Sequence, residues 1–280
     1  MLPLDPVDYL VIGHITVDLS PTGMTLGGSA AYAALTARAM GLRVGVVTAR
    51  ADEIPLAALD GITVVSGPSM FSTTFENVYS SAGRIQYIRR LASKIDFAIV
   101  PESWRRARII HLAPVAQEIG SQLPSDFHPG LLGLTPQGWM RAWDGQGRVQ
   151  ACTWEQPGQI LEQSGAVVFS LDDVGCDEGV IETLAHSARV LVVTEAAAGV
   201  RLFWNGDSRR FRPPAVHEID PTGAGDIFAA AFFIRLINTR DPWEAARFAN
   251  RMAAISVTRP GLAGVPSPDE VGNCLMEVLD

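Results

Sequence analysis

The sequence predicts an α/β domain layered around a buried, mostly parallel sheet. Three observations carry that prediction. Short, nearly continuous apolar runs recur at Tyr9-Leu-Val-Ile12, Arg43-Val-Gly-Val-Val-Thr48, Ile109-Ile-His-Leu112, Leu131-Leu-Gly-Leu134, Ala166-Val-Val-Phe169 and Val190-Leu-Val-Val-Thr194. Runs of this kind suit strands covered on both faces. Helix-length segments lie between several of them, which calls for right-handed crossovers. Finally, 280 residues with 48% hydrophobic content suffice for one large core.

Taken in order, the run ending at Gly13 is the first strand, and the Ala-rich stretch 29–40 is a helix stopped by Gly41. Residues 43–48 follow as a second strand. The rhythm breaks at 71–90, where two alternating runs, Thr73-Thr-Phe-Glu-Asn-Val-Tyr79 and Arg84-Ile-Gln-Tyr-Ile-Arg89, flank Ser80-Ser-Ala-Gly83. That is a hairpin signal. Such a hairpin either covers a site or sits idle at a sheet edge. A second hairpin is expected over 200–211, turning at Asn205-Gly206. After Pro213-Pro214, two helices, at about 223–236 and 243–257, are expected to close the chain. No repeat, low-complexity tract or linker divides it, so one domain spans 1–280, with the 71–90 hairpin as an inserted lid.

The formal net charge is −8, which argues against a nucleic-acid partner. It leaves room for a locally positive phosphate site. Cys152, Cys176 and Cys274 are odd in number and far apart, without ligand spacing; they read as unpaired thiols of a reducing compartment. No apolar run approaches a membrane span, and the first residues lack a basic-then-apolar leader pattern. A cytoplasmic protein without membrane contact is therefore expected. The five histidines show no metal-like spacing and read as structural.

Chemistry concentrates in Asp220-Pro-Thr-Gly-Ala-Gly-Asp226, which leads into the apolar segment Ile227-Phe-Ala-Ala-Ala-Phe-Phe-Ile234. Small residues at a helix start leave backbone N–H groups bare, and the helix dipole favours an anion there. A carboxylate in the first turn can take a proton from an attacking hydroxyl. The same residues, considered alone, equally suit a tight turn followed by a first-turn acid.

This segment resembles the C-terminal signature of the ribokinase-like (PfkB) carbohydrate kinases, usually Asp-Thr-Thr-Gly-Ala-Gly-Asp; only Pro221 departs from it. Val11-Ile-Gly-His-Ile-Thr-Val-Asp18 and Gly27-Gly-Ser-Ala-Ala-Tyr32 are similar to the family's first strand, its substrate-binding Asp and its Gly-Gly motif. Arg247-Phe-Ala-Asn250 through Ser256-Val-Thr-Arg-Pro-Gly261 resembles its last nucleotide-binding helix and loop. The resemblance runs in family order over nearly the whole chain. It implies a three-layer ribokinase-like fold, with a central, mostly parallel sheet and a small β lid. It also implies ATP-dependent phosphorylation of a hydroxyl on a small polyol. Asp226 is then the general base, and Gly223, Ala224 and Gly225 form the anion hole. Asp18, Gly27 and Gly28 hold substrate hydroxyls. Mg²⁺ accompanies the phosphates, and a monovalent cation has its family position beside Asp220 and the 257–261 loop. Lid strands in this family pair between subunits, so a homodimer through them enters as an expectation.

Several positions depart from the family pattern. Tyr32 stands where Asn is usual, as a substrate contact or as a helix core residue. Ser170-Leu-Asp-Asp173 replaces Asn-x-x-Glu; Asp173 keeps a carboxylate for metal-bound water, though capping explains it equally. In Thr194-Glu-Ala-Ala-Ala-Gly199 the nucleotide-loop positions Thr194 and Gly199 match, while Glu195 and Ala196 do not. Asn250 falls at an adenine-side position, and Arg141 near the phosphates. The aromatic at 32, the short 18–27 connection and the Gln137…Arg141 segment resemble inositol kinase-like members. That connection leaves little room for a lid of its own, so Asn77, Arg84 and Gln86 of the hairpin become the hydroxyl contacts to a cyclitol such as myo-inositol. Hexoses, ketoses and nucleosides stay open as acceptors, as does a catalytically weak sensor of sugar or nucleotide.

Overall fold

β-branched and aliphatic runs form strands where the sequence places them. In a computed structural model, residues 4–20, 23–53, 55–80 and 83–276 are described, with backbone alone at 79, 80, 83 and 84. The chain begins with β1 (Tyr9–Ile12), β2 (Thr16–Ser20), β3 (Gly23–Gly27) and helix α1 (Ser29–Ala39). Next come β4 (Val44–Arg50), β5 (Thr63–Pro68), β6 (Thr74–Ser80), β7 (Gly83–Arg90), β8 (Ile109–Leu112) and β9 (Leu131–Leu134). The short β10 (Arg141–Trp143) and β11 (Val149–Ala151) precede α2 (Gly158–Gln163), β12 (Ala166–Ser170), α3 (Glu178–Ser187) and β13 (Val190–Thr194). Last are β14 (Val200–Trp204), β15 (Asp207–Phe211), α4 (Ala224–Thr239), α5 (Pro242–Ser256) and α6 (Pro268–Leu275).

The central sheet has the order β15-β14-β13-β12-β9-β8-β1-β4-β5. It is parallel from β13 to β5, and the β14–β15 hairpin continues it antiparallel at one edge. One core packs α1, α4 and α5 on one face, and a second core fills the opposite face around Leu10, Trp104 and Ile181. Helix α4 is apolar around its circumference because it lies between α1, α5 and the sheet. Phe228, Phe232 and Phe233 are buried there, each contributing about 2–3 kcal/mol of apolar burial.

Three expectations need correction. The lid is a four-stranded sheet, β3-β2-β6-β7, rather than the 71–90 hairpin alone. The 18–27 connection, read as too short for a lid, folds as the β2–β3 hairpin; two residues suffice to turn an antiparallel pair. A third helix, α6, follows the two expected closing helices, with Ser267 and Glu270 forming a capping box. The expected turn residues Ser81 and Ala82 lie outside the described residues, but β6 and β7 pair across them from Ser80↔Gly83 to Thr74↔Arg90. Among the described residues, no helix is long and apolar enough to cross a membrane.

Candidate active site

A cleft of about 880 Å³ runs over the carboxyl ends of the parallel strands, the usual place for a ligand in an open α/β sheet. The 220–226 segment lies along its floor. Gly223 adopts φ 78° at the N-cap of α4, a conformation open to glycine. Space demands glycine as well: a Cβ at 223 would fall 2.3 Å from Tyr32 ring atoms, whereas one at 225 meets nothing within 4 Å. Asp220 braces the turn, its carboxylate accepting from the N–H of Thr222 at 2.9 Å and of Gly261 at 2.7 Å. The Ala224 N–H turns back to the Pro221 carbonyl. Among the described residues the N–H groups of Gly225 and Asp226 have no acceptor, as first-turn amides do.

Asp226 follows in the first turn of α4. Burial pushes its carboxyl up to about 6; a hydrogen bond from Ser29 and the charge of Arg141 oppose the rise, while Asp173 and Asp18 add to it. Ionised at neutral pH and weakly acidic for a carboxylate, it has the acidity of a general base.

Asp18 lies across the cleft on β2, and the Thr16 hydroxyl donates to its Oδ1 at 3.3 Å. Gly27 and Gly28 are spatially required: a Cβ at 27 would lie 2.2 Å from Asp18 Oδ2, and one at 28 would lie 2.6 Å from the His14 carbonyl. Asn77 and Gln86 face one another across β6–β7, line the cleft, and share a bond from Gln86 Nε2 to Asn77 Oδ1 at 3.0 Å. Arg84 stands opposite Tyr79 on β7; its side chain lies outside the described residues. Tyr32 is buried in the helix core and its ring also lines the cleft.

On the other side, Thr194 ends β13 and Gly199 takes φ 96°, where a Cβ would meet the Phe211 carbonyl at 2.0 Å. Ala196 also has positive φ, 48°. Glu195 is turned away into ion pairs with Arg201 at 3.0 Å and Arg210 at 3.5 Å. Asn250 lines the cleft and donates to the Phe211 carbonyl at 3.1 Å. Asp173 caps the turn after β12, accepting from the Ser170 N–H and from Gln137 Nε2, both at 2.9 Å. Arg141 lies over the Phe75 ring and near Asp226.

The structure thus brings every predicted position with a described side chain to the cleft or its immediate frame. Sequence reasoning missed Ser29, Thr135, Arg210 and Arg212, which also line it. Serine after Gly-Gly reads as a helix cap, but the cap position falls on Gly28, and Ser29 lines the cleft beside Asp226.

The profile of the pfkB family carbohydrate kinases matches residues 175–270. A cytidine kinase from Thermococcus kodakarensis is 25% identical over 256 residues, covering 81% of this chain and 87% of that protein. A Bacillus subtilis ribokinase is 40% identical over 97 residues, covering 34% of this chain and 32% of its own length. A Zea mays inositol 3-kinase is 33% identical over 127 residues, or 45% of this chain and 33% of that enzyme. The matches to these last two thus span only about a third of each. Among solved structures, a pyrophosphate-dependent kinase in the ribokinase family, complexed with a pyrophosphate analog and myo-inositol, superposes with a TM-score of 0.79. That pair is 18% identical, over 94% of this chain and 99% of the other. An Arabidopsis thaliana ribokinase complexed with ribose and ATP gives 0.69 at 16% identity, over 98% and 100% of the two chains.

The fold is that of the ribokinase family, whose sugar and cyclitol kinases are phosphotransferases with alcohol acceptors. On that fold, residues 175–270 match the pfkB family of carbohydrate kinases, and a cytidine kinase, a ribokinase and an inositol 3-kinase are among the proteins to which this chain is similar.

Proposed function

We propose that this protein transfers the terminal phosphoryl group of ATP to a hydroxyl of a small polyol, a cyclitol such as myo-inositol or a sugar. The carrying observation is Asp226: a carboxylate raised to about 6, one residue from uncovered amides and across the cleft from Asp18. Asp18 and the lid pair Asn77–Gln86 present acceptors and donors to vicinal hydroxyls, with the backbone of Gly27 and Gly28 close by. Tyr32 walls the same pocket, and Arg84, two residues before Gln86 on β7, is the further candidate hydroxyl contact. Asp226 accepts the proton of the hydroxyl as its oxygen attacks. The turn Gly223-Ala224-Gly225 and the Arg141 guanidinium then stabilise charge on the transferring group.

Donor binding falls to the Thr194 and Gly199 loop, beside Asn250 and a slot of small apolar side chains including Ala196, Pro213 and Ala253. The slot suits a planar base, which favours a nucleotide over pyrophosphate. Among the described residues no group of three or more His, Cys, Asp or Glu side chains forms a metal site. Mg²⁺ therefore fits as an ion carried on the donor phosphates, with Asp173 ordering its water. When bound, it shares the phosphate charge. A monovalent cation fits only through backbone oxygens near Asp220, since that carboxylate already accepts two amides. The β3 edge of the lid is the surface for a homodimer, checked by sedimentation.

The test incubates the enzyme with Mg²⁺ and either ATP or pyrophosphate against cyclitols, hexoses, ketoses and nucleosides, read by ³¹P NMR. A phosphomonoester formed from a cyclitol or sugar with ATP is the expected result. Pyrophosphate use would overturn the donor assignment, a nucleoside product the acceptor assignment. Binding without any product would make the protein a sensor.

A further inference from the structure

We propose that Thr135 is a catalytic hydrogen-bond donor to the transferring phosphoryl group, set in that role by a buried Tyr9–His111 pair behind it; this rests on the kinase reading above. Thr135 directly follows β9 and lines the cleft. Its Oγ1 lies 2.9 Å from His111 Nε2, and His111 Nδ1 lies 2.8 Å from Tyr9 Oη. Tyr9 and His111 have no exposed surface, and the Phe233 ring packs against the imidazole in a T-shaped arrangement, 5.0 Å between centroids.

Counting hydrogens settles the direction of this chain. Burial pulls His111 down to about 3, so the ring is neutral and carries one N–H. Suppose that hydrogen is on Nδ1. It then donates to Tyr9 Oη, the Thr135 hydroxyl donates to Nε2, and the Tyr9 O–H is left with no acceptor among the described residues. A fully buried donor without a partner costs about 1–3 kcal/mol. With the hydrogen on Nε2, Tyr9 donates to Nδ1 and His111 donates to Thr135 Oγ1. Every buried group is then satisfied, and the surplus hydrogen is the one on Thr135. That hydrogen sits at the cleft wall, where a ligand oxygen can accept it.

Strand order identifies the oxygen. In the sheet, β9 lies between β12 and β8. The loops after β12 and β13 belong to the donor side, and Asp18, after β1, to the acceptor side. The end of β9 therefore falls where donor and acceptor meet. Negative charge spreads there over the oxygens of the transferring phosphoryl group. Thr135 transfers no proton; its fixed O–H dipole is aimed before reaction, with no reorganisation needed.

The test has two independent readouts on the full chain. In ¹⁵N-edited NMR, His111 is expected as the neutral Nε2–H tautomer throughout pH 5–8; a Nδ1–H tautomer overturns the inference whatever the enzyme phosphorylates. In kinetics, Thr135→Val should lower kcat about tenfold, the size of one transition-state hydrogen bond. The KM of both substrates should stay within about twofold, and Thr135→Ser should restore the rate. Tyr9→Phe should lower kcat about threefold in the wild type and have no further effect on Thr135→Val. A Thr135→Val enzyme at the wild-type kcat, or a Tyr9→Phe loss that persists unchanged in that background, overturns the proposal. An Nε2–H tautomer in a protein that phosphorylates nothing would instead sink the kinase reading on which it rests.

Discussion

The turn at 220–226 and the loop at 194–199 both bring small residues to the carboxyl end of the sheet, yet they meet the family pattern differently. In the first, Gly223 and Asp226 stand unaltered, and Tyr32 presses so close on Gly223 that no side chain fits. In the second, Gly199 is equally required by the Phe211 carbonyl, but Ala196, which departs from the family's loop pattern, holds a left-handed backbone. The buried carboxylate of Glu195, bridging Arg201 and Arg210, holds that loop in place. The difference separates two needs: the floor requires glycine for a clash-free wall, whereas position 196 requires only a backbone shape, obtained from alanine at a cost.

The largest expected effect breaks the first turn chemically. Asp226→Asn should lower turnover about 10³-fold, with polyol binding nearly unchanged by calorimetry. Next, Gly223→Ala should lower kcat about 10²-fold by moving the amides. It should also lose about 2 kcal/mol in urea unfolding, since both φ and the Tyr32 ring oppose it.

A smaller, graded effect comes with pH. With Asp226 near 6, kcat/KM should fall about tenfold per unit once pH drops well below 6. Stability moves oppositely. The folded pKa lies above the unaltered value of 3.8, so ionised Asp226 costs stability above about pH 6. That cost fades as pH falls through 6 toward 4. Asp226→Asn should therefore melt higher than the wild type at pH 8, by roughly 1 kcal/mol, and the gap should narrow at pH 5. The smallest effect sharpens the second loop: Ala196→Gly should gain about 0.5–1 kcal/mol in urea unfolding by removing left-handed strain.

Legibility in the sequence followed the range of the interactions. The β14–β15 hairpin and the parallel strands other than β5 were readable because turn chemistry and apolar runs are local; β5 (Thr63–Pro68), a half-exposed edge strand ending in Gly-Pro, carries no such run. The β2–β3 half of the lid was not, because its strands are short and polar and are defined by pairing with β6, more than fifty residues away. Asp18, Gly27 and Asp226 were legible from motif order. Ser29 and Thr135 were not: one looks like a cap, the other like a loop hydroxyl, and only the packing of α1 on α4 and of β9 beside β8 aims them at the cleft.

Tyr32 limits how such an enzyme can be re-tailored. Its ring is at once a wall of the cleft and the backstop of Gly223, so a substitution chosen to fit a different ligand also disturbs the turn at the start of α4. Selection for new substrates is therefore steered away from position 32. It is directed toward Asn77 and Gln86, which lie on the lid away from the Gly223 turn.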